Sequence, residues 1–330
     1  MTTGKQTRSV AIIGTGSLAC IFAARLADVA NVHLIGSWRQ QIDAINRYGI
    51  LLHELDATTS TVEARAICYP EQTVGLAADY VIVLVKSYQT LASIDRIKSC
   101  LKADTIVLTL QNGLGNIEQL RDGLPDQFIS AGVTMQGGNI KRPGAVIHAG
   151  NGLTIIDDSP QLAELIELFI AANLPVETAR QSGANSINEV LWRKLIINSA
   201  VNPLTALLRQ PNGYLVENKA ARGLSEATAI ETANVARLEG AWPAQELDGA
   251  ATLTTNAARV TGPNRSSMLQ DISRGNRTEI ASICGQVVTR AKRHGHKAPY
   301  NEKWWSLVQQ AESKQIASTG LPLYTIDELV

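Results

Sequence analysis

The sequence predicts an α/β fold in which a domain built on a parallel sheet is followed by an all-helical domain. Three observations predict this organisation: strand-like apolar runs alternate with helical stretches in the first half, no strong strand follows Val176, and long helical patterns fill the second half. At 330 residues the chain also exceeds the usual size of a single core. We therefore predict a sheet domain over residues 1–183 and a helical domain over residues 184–330.

The strands of the first domain are predicted from four short apolar runs. These runs are Val10–Ile13, Val32–Ile35, Tyr80–Val85 and Thr105–Leu110. The last two show no polar alternation, which is typical of parallel strands buried on both faces. Weaker patterns predict strands at Val62–Ile67 and Ala145–His148. Since the helical stretch Leu18–Val29 separates the first two strands, we expect βαβ units with right-handed crossovers.

The second domain is predicted to contain four long helices. Their predicted ranges are Ile187–Leu208, Asn218–Leu238, Ala244–Val260 and Thr278–Arg293. Turn signals with Pro and Gly separate them. We expect the tail after Gly320 to be loosely held.

Charge and composition exclude several classes of protein. Thirty basic residues balance thirty acidic ones, so the net charge gives no argument for nucleic acid or an anionic membrane as a partner. A net charge near zero does little to oppose self-association, so the sequence is compatible with a homodimer. The apolar runs are shorter than the roughly 18 residues of a membrane span. The first nine residues are polar, without an apolar signal core.

Cysteine and histidine placement argues against a disulfide framework and against a metal site. The four cysteines are scattered without a CxxC pair, and the five histidines show no metal-ligand spacing. We therefore expect a cytoplasmic protein that binds no metal.

A glycine-rich turn after the first strand predicts a dinucleotide site. The hexapeptide consists of Gly14, Thr15, Gly16, Ser17, Leu18 and Ala19, and it fits the pattern GxGxxA. Gly14 permits the tight turn, Gly16 lets a pyrophosphate approach the backbone, and Ala19 keeps helix and strand close. The phosphates would meet unpaired amides at the positive end of the helix dipole. The alternative is an ordinary glycine turn.

The end of the second strand favours NADP over NAD. No Asp or Glu occurs between Val29 and Ile42, where an NAD enzyme usually has a carboxylate for the ribose hydroxyls. Arg39 follows the strand instead, and its guanidinium can pair with a 2′-phosphate. The alternative is a solvated surface arginine.

Polar residues follow two predicted parallel strands. Lys86 follows Tyr80–Val85, and Gln111-Asn112-Gly113 follows Thr105–Leu110. Open α/β sheets bind their ligands at this edge. A solubilising lysine and a turn-forming asparagine are the alternative interpretation.

A helical stripe of polar residues marks the second domain. Lys194, Asn198 and Asn202 are spaced i, i+4 and i+8, so a helix places them on one face with apolar flanks. Buried polar groups need partners or a ligand, because unpaired burial costs about 1–3 kcal/mol per group. Pro203 removes an amide donor within this helix. A solvated stripe is the alternative.

Together these segments resemble the ketopantoate reductase (2-dehydropantoate 2-reductase) family, NADPH-dependent enzymes of pantothenate biosynthesis. The resemblance extends from about Arg8 to about Leu321. Its most specific parts are Leu191-Trp192-Arg193-Lys194-Leu195 with Asn198 and Asn202-Pro203-Leu204-Thr205, and Ser266-Ser267-Met268-Leu269-Gln270-Asp271 with Arg277-Thr278-Glu279-Ile280. The shorter segments that also match are Gln111-Asn112-Gly113 and Pro211-Asn212-Gly213.

The resemblance implies a Rossmann domain followed by a helical domain like that of 6-phosphogluconate dehydrogenase, closing over a cleft. It implies that Lys194 is the catalytic lysine and that Glu279 is a carboxylate that helps to organise cofactor and substrate. The residues implied to hold the substrate together with Lys194 are Asn198, Asn202, Asn212 and Ser267. The residues implied to contact the cofactor, besides the glycine-rich turn, Arg39 and Glu279, are Lys86, Asn112 and Gly138.

Two single positions and one short segment depart from the family pattern. Ala19 stands where close relatives often have Gly, and Ala281 stands where relatives commonly have Asp. The cofactor-pocket segment Met135–Gly138 reads Met-Gln-Gly-Gly. None of these removes a catalytic group, and together they leave room for a related substrate.

These observations give one hypothesis and two alternatives. The hypothesis is hydride transfer from NADPH to 2-dehydropantoate, giving (R)-pantoate, with the Lys194 ammonium stabilising the developing negative charge and donating a proton. The first alternative is a reductase of another small branched 2-oxo acid. The second is a non-catalytic NADP-binding sensor on the same scaffold.

Overall fold

The computed structural model describes residues 8–71, 75–243, 247–313 and 322–330. It divides the chain into two compact units. The first contains residues 1–111 and 116–187, and the second contains residues 112–115 and 188–330. The division after Ile187 lies close to the boundary predicted at Gly183, whereas the assignment of residues 112–115 to the second unit was not predicted.

The first unit contains the strands of the molecule. In chain order they are β1 Ser9–Ile13, β2 Asn31–Gly36, β3 Ile50–His53, β4 Thr59–Val62, β5 Arg65–Cys68, β6 Tyr80–Val83, β7 Ile106–Thr109, β8 Phe128–Thr134, β9 Gly137–Arg142, β10 Ala145–Gly150, β11 Thr154–Ile156 and β12 Val176–Thr178. The main sheet has the order β12-β11-β8-β7-β6-β1-β2-β5. Strand order reverses between the parallel neighbours β1 and β6, so the edge at their carboxyl ends is the expected place for a ligand.

The main sheet is buried on both faces, which explains why its strands lack polar alternation. In β1, Val10 and Ile12 pack into one apolar cluster, while Ala11 and Ile13 pack into a second cluster. All four residues are fully buried. Successive side chains of a strand point to opposite faces, so a strand covered on both faces must be apolar throughout.

Two details of the sheets differ from the sequence-based expectation. The stretch Val62–Ile67 was expected as one strand, but it contains the end of β4 and the start of β5, which belong to different sheets. The predicted strand Ala145–His148 is β10, which lies in a separate four-stranded sheet of order β4-β3-β10-β9. Within the main sheet, β8 and β11 pair antiparallel. Long-range pairing of this kind is not visible in local periodicity.

Helices cover the faces of the first unit. Their bounds are α1 Ser17–Leu26, α2 Arg39–Tyr48, α3 Ile94–Lys98, α4 Asn116–Gly123 and α5 Ala163–Ala171. The predicted helix Leu18–Val29 is α1. Its residue Phe22 packs edge-to-face on Phe169 of α5, with ring centroids 5.7 Å apart.

The second unit contains helices and no strand among its described residues. Its helices are α6 Ile187–Leu208, α7 Tyr214–Glu217, α8 Lys219–Leu238, α9 Leu247–Val260, α10 Ser267–Ser273, α11 Cys284–Arg293, α12 Pro299–Ser313 and α13 Ile326–Leu329. The prediction for α6 is confirmed at both ends. Asn218 caps α8 by accepting a hydrogen bond from the Ala221 amide at 3.0 Å, an interaction that stabilises a helix by about 0.5–2 kcal/mol. The first three residues of the predicted helix Ala244–Val260 lie outside the described residues.

Helix α12 was missed by the sequence reasoning because its amino end is fixed by a distant residue. Glu231 of α8 accepts hydrogen bonds from the amides of Tyr300 and Asn301, at 3.0 and 2.8 Å. These amides belong to the first turn of α12, where a helix has no intrahelical acceptors for them. The cap therefore comes from tertiary structure rather than from a local sequence signal.

The helix predicted over Thr278–Arg293 begins only at Cys284, so its first six residues were assigned wrongly. Thr278 is held outside a helix because its amide and its hydroxyl both donate to Glu312, at 2.7 and 2.6 Å. Residues 279–283 form turns before α11. Glu279 therefore lies in a turn that precedes the helix.

The expectation of a loose tail after Gly320 is wrong for residues 322–330. The Leu323 amide donates to the Leu207 carbonyl at 2.9 Å, and Leu329 is fully buried. Thr325 and Glu328 form a capping box at the start of α13. Residues 314–321 lie outside the described residues.

All four cysteines are buried thiols rather than disulfides. Burial raises the pKa of Cys20 to about 12 and that of Cys100 to about 11. It also raises the pKa of Cys284 well above the usual range. Within the described ranges, no helix is both long and apolar enough to cross a membrane.

Candidate functional site

The glycine-rich turn lies directly after β1, at the point where strand order reverses. Gly14 has φ +129°, a conformation that side chains with a Cβ rarely adopt. A Cβ there would also approach the Leu84 carbonyl group, just beyond β6, to 3.2 Å. The Gly14 amide donates to the Ile35 carbonyl at 2.8 Å, which holds the turn against the end of β2. Gly14 is thus required by both conformation and packing.

The amino end of α1 fits a pyrophosphate. Gly16 is the N-cap, and no side chain caps the first turn, which also contains no acidic residue. A Cβ at Gly16 would meet no atom of the described chain within 4 Å, so the backbone is open to a ligand. Ala19 is fully buried, as a close helix–strand contact requires. Free amides at a positive helix end are the chemistry that binds phosphate.

Three other predicted members of the turn and Gly138 surround this helix end. Thr15 is buried, while Ser17 and Leu18 are partly exposed. Gly138 of β9 lies against α1, because a Cβ there would come within 2.4 Å of the Ile21 side chain and 3.5 Å of the Ser17 Cβ. A role of Gly138 in cofactor binding stays a prediction, but its place beside the turn is consistent with one.

Arg39 is the first residue of α2, just past the carboxyl end of β2. Its side chain is 60% exposed and forms an ion pair with Glu71, which is 55% exposed. No carboxylate lies near this position along the chain, from Val29 to Ile42. Glu71 follows β5, the strand paired with β2, so the sheet brings a carboxylate to the arginine.

Lys86 lies at the same edge, in a loop that polar side chains hold in place. It directly precedes the short 3-10 helix Ser87–Gln89 that follows β6. Gln111, beyond β7, donates to the Val85 carbonyl and to the Thr90 hydroxyl, each at 2.9 Å. Thr90 in turn donates to the Ser87 carbonyl at 2.9 Å. Neither the role of Thr90 nor the positioning role of Gln111 is visible in the sequence, because their partners lie on other segments.

Helix α6 carries the predicted polar stripe of the second unit. Lys194 and Asn198 are partly exposed, and Asn202 is buried. The helix continues through Pro203, which cannot donate to the Ser199 carbonyl. The Cys284 thiol contacts that carbonyl oxygen at 3.9 Å, and the Thr205 hydroxyl donates to the Val201 carbonyl at 2.9 Å.

Lys194 and Glu279 form the charged centre of the second unit. Burial lowers the pKa of Lys194 to about 8, and the charge of Glu279 opposes this effect by raising it. Glu279 is only 5% exposed. An ammonium with a pKa near 8 stays mostly charged at neutral pH, yet it gives up a proton more readily than an ordinary lysine. Such a group suits proton donation.

Asn112 contacts this charged centre, since residues 112–115 belong to the second unit. Its side-chain nitrogen Nδ2 donates to a carboxylate oxygen of Glu279 at 3.0 Å. The next residue, Gly113, has φ +79°, and a Cβ there would clash with the Ser282 carbonyl oxygen at 2.3 Å. The Leu114 amide donates to that same oxygen at 2.9 Å. Glycine at position 113 is therefore what permits Asn112 to reach Glu279.

The other predicted substrate residues lie near the amino end of α10. Asn212 donates to the Thr261 hydroxyl at 2.9 Å, while its own buried side-chain oxygen accepts no hydrogen bond from the described residues. Ser267 is exposed at the first position of α10. The Thr205 hydroxyl of α6 donates to Ser266, the N-cap of α10, at 2.8 Å. This bond connects α6, which bears the polar stripe, to the helix that bears Ser267.

The predicted residues divide between the two units of the structure. The group in the first unit contains the glycine-rich turn, Gly138, Arg39 and Lys86. The group in the second unit contains Lys194, Asn198, Asn202, Glu279 and Asn112, with Asn212 and Ser267 near α10. The contacts of Glu71 with Arg39 and of Gln111 with Val85 and Thr90 were not predicted, since each joins residues that are distant in sequence.

Comparisons with known proteins identify the family of this chain. Residues 10–161 match the family model "Ketopantoate reductase PanE/ApbA", and residues 186–312 match the model of its C-terminal part. A 2-dehydropantoate 2-reductase of Pyrococcus horikoshii is 33% identical over 311 residues, which cover 92% of this chain and 97% of that protein.

Solved structures agree as well. A PanE/ApbA family ketopantoate reductase from Ralstonia eutropha has a TM-score of 0.83 at 32% identity, covering 93% of this chain and 99% of that chain. D-mandelate dehydrogenase, solved with NADH and anilino(oxo)acetate, shares the fold with a TM-score of 0.86 at 24% identity, over 94% of this chain and 99% of that chain. From the two family models, the relative and the first of these structures, we conclude that this chain belongs to the ketopantoate reductase family of pyridine-nucleotide-dependent reductases.

Proposed function

We propose that this protein catalyses the NADPH-dependent reduction of 2-dehydropantoate (ketopantoate) to (R)-pantoate, a step of pantothenate and coenzyme A biosynthesis. The observation that carries the proposal is the pairing of Lys194, whose pKa is lowered to about 8, with the buried carboxylate of Glu279. A proton donor of this kind is what carbonyl reduction requires and what a passive nucleotide sensor lacks.

The first unit would hold the cofactor. The amides at the start of α1 would bind the pyrophosphate, and Arg39 would bind the 2′-phosphate through charge-assisted hydrogen bonds. Lys86 would lie beside the nicotinamide and ribose. When bound, the cofactor supplies the hydride, while the protein supplies orientation and electric field.

Lys194 would act on the carbonyl oxygen of the substrate. Negative charge grows on that oxygen as the carbonyl is reduced, and an ammonium beside it stabilises the charge and then donates the proton. Glu279 keeps the lysine protonated at neutral pH by raising its pKa against the effect of burial. Asn112 donates to Glu279 and so fixes the orientation of the carboxylate.

Neutral amides would bind the rest of the substrate. Asn198 and Asn202 follow Lys194 on one face of α6, where they can donate to a carboxylate and a hydroxyl without adding a charge that would shift the lysine further. Asn212 and Ser267 would complete the substrate contacts. The buried oxygen of Asn212 is suited to accept a hydrogen bond from a substrate hydroxyl.

The decisive experiment is NADPH oxidation by the purified protein with 2-dehydropantoate, repeated with NADH and with a panel of 2-oxo acids. We expect the highest kcat/KM for 2-dehydropantoate with NADPH. A higher kcat/KM for another branched 2-oxo acid would identify that acid as the substrate instead. Nucleotide binding without turnover of any acid would favour the sensor alternative.

We further propose a cytoplasmic enzyme whose physiological partners are small molecules. Self-association as a homodimer, which the balanced charge leaves open, stays a prediction. Light scattering of the purified protein at several concentrations measures the oligomeric state directly.

A further inference from the structure

The carboxylate of Glu71 lies against the guanidinium of Arg39. Arg39 begins α2 just after β2, and Glu71 comes shortly after β5, the strand paired with β2. The Tyr69 amide donates to the Gly36 carbonyl at 2.9 Å, so the segments leaving the two strands stay together. The contact between Arg39 Nη1 and Glu71 Oε2 is therefore supported by backbone pairing as well as by charge.

This contact lies where the adenosine ribose of the cofactor is expected, at the carboxyl end of the second strand. A 2′-phosphate at Arg39 must share the guanidinium with Glu71 or displace its carboxylate. If Glu71 stays in place, two anionic groups lie side by side, which is unfavourable. A ribose that carries only hydroxyls meets no such conflict, because a carboxylate accepts hydrogen bonds from hydroxyls.

We infer that Glu71 is a specificity-determining residue that limits the preference for NADPH over NADH. The inference rests on the proposed function in one respect, the binding of the 2′-phosphate by Arg39. Arg39 attracts the phosphate, and Glu71 reduces that attraction, so the selectivity of the protein reflects both side chains. Position 71 thereby discriminates between the two cofactors although it lies 32 positions from Arg39 in the sequence.

The exposure of Arg39 and Glu71 determines how strongly Glu71 changes the affinity for NADPH. Both side chains are more than half exposed, so water screens their interaction. Exposed pairs of this kind correspond to small changes in affinity, and we expect about a three- to fivefold change.

The test is a binding titration of Glu71→Gln with NADPH and with NADH, followed by isothermal calorimetry and requiring no substrate. We expect the Kd for NADPH to fall about three- to fivefold and the Kd for NADH to change less than about twofold. Adenosine 2′,5′-bisphosphate and AMP, which lack the nicotinamide half, should show the same contrast. Glu71→Ser, which also removes the carboxylate, should act in the same direction.

A matched control is Asp104→Asn. Asp104 is 80% exposed and pairs with Lys102 at 3.4 Å, but it precedes β7 and so lies at the opposite edge of the sheet. This variant also loses one exposed carboxylate, and we expect both dissociation constants to stay within about twofold of the wild type.

The possible results separate the inference from the proposed function. An unchanged or weakened affinity of both Glu71 variants for NADPH overturns the inference, even if the wild type reduces 2-dehydropantoate. A selective gain for NADPH supports the inference, even if 2-dehydropantoate is not the substrate. Absence of binding of either nucleotide to the wild type overturns both.

Discussion

Arg39–Glu71 and Lys194–Glu279 are charge pairs of the same chemical kind in different surroundings. The side chains of Arg39 and Glu71 are 60% and 55% exposed, whereas Glu279 is 5% exposed. Water screens the first pair, which is worth at most about 1 kcal/mol. In the second pair, burial lowers the pKa of Lys194 to about 8 and Glu279 opposes it. The exposed pair therefore affects the affinity for the cofactor, whereas the pair with the buried Glu279 carboxylate sets the protonation state of Lys194.

The largest expected effect comes from the buried pair. Lys194→Ala should reduce kcat with 2-dehydropantoate by about 10²–10⁴-fold, because the lysine acts on charge that develops in the transition state. The Kd for NADPH, measured by titration, should stay within about threefold of the wild type. Lys292→Ala serves as the control, since Lys292 is an exposed lysine of α11. Near-normal turnover of Lys194→Ala would remove this lysine from the mechanism.

The pH profile shows how Glu279 controls the lysine. In the wild type, kcat/KM should fall above a pH of about 8, since the ammonium is the active form and is lost as pH rises through the pKa of Lys194. Glu279 raises that pKa, so Glu279→Gln should move the fall toward lower pH by on the order of one pH unit. Stopped-flow or steady-state rates from pH 6 to 10 measure this directly. A profile that keeps its midpoint in Glu279→Gln would mean that the carboxylate does not act on Lys194.

A smaller effect is expected from the exposed pair. Arg39→Ala should weaken NADPH binding by about tenfold, the low end for bonds to a charged group, because Arg39 is 60% exposed. NADH binding should hardly change, since only the phosphate contact is lost. Arg47→Ala, in the last turn of the same helix, is the matched control. If Arg39→Ala weakened the binding of NADPH and NADH equally, Arg39 would not contact the 2′-phosphate.

The smallest expected effect is the different response of the two pairs to salt. Raising the ionic strength from about 0.05 to 0.5 M should weaken NADPH binding several-fold, because screening acts on exposed charges. The midpoint of the kcat/KM profile should move by less than about 0.3 pH unit, since Glu279 is buried and buried charges are screened much less. A large movement of the midpoint with salt would show that ions screen the interaction between Lys194 and Glu279.

The sequence predicted best the features that depend on neighbours along the chain. The turn from Gly14 to Ala19 and the helix Ile187–Leu208 were predicted because glycine conformation, burial and helical periodicity are local properties. Lys194, Asn198 and Asn202 could be grouped for the same reason, since helical spacing alone places them on one face.

Features that depend on distant contacts could not be predicted in this way. Glu279 was assigned to a helix because its neighbours are compatible with one, but Thr278 is anchored by Glu312. Glu71 was missed beside Arg39 because only the pairing of β5 with β2 brings them together. The role implied for Glu279 came from the family resemblance, and no spacing in the sequence indicates its contact with Asn112.

The buried cysteines make the two units distinguishable by chemical labelling. A thiol reacts with an alkylating reagent as the thiolate, and the raised pKa of Cys20, Cys100 and Cys284 suppresses that form in the native protein. Modification then requires a transient opening that exposes the sulfur. Because Cys284 belongs to the second unit and the other three cysteines to the first, mass spectrometry of a timed alkylation would report the opening rate of each unit without any engineered probe.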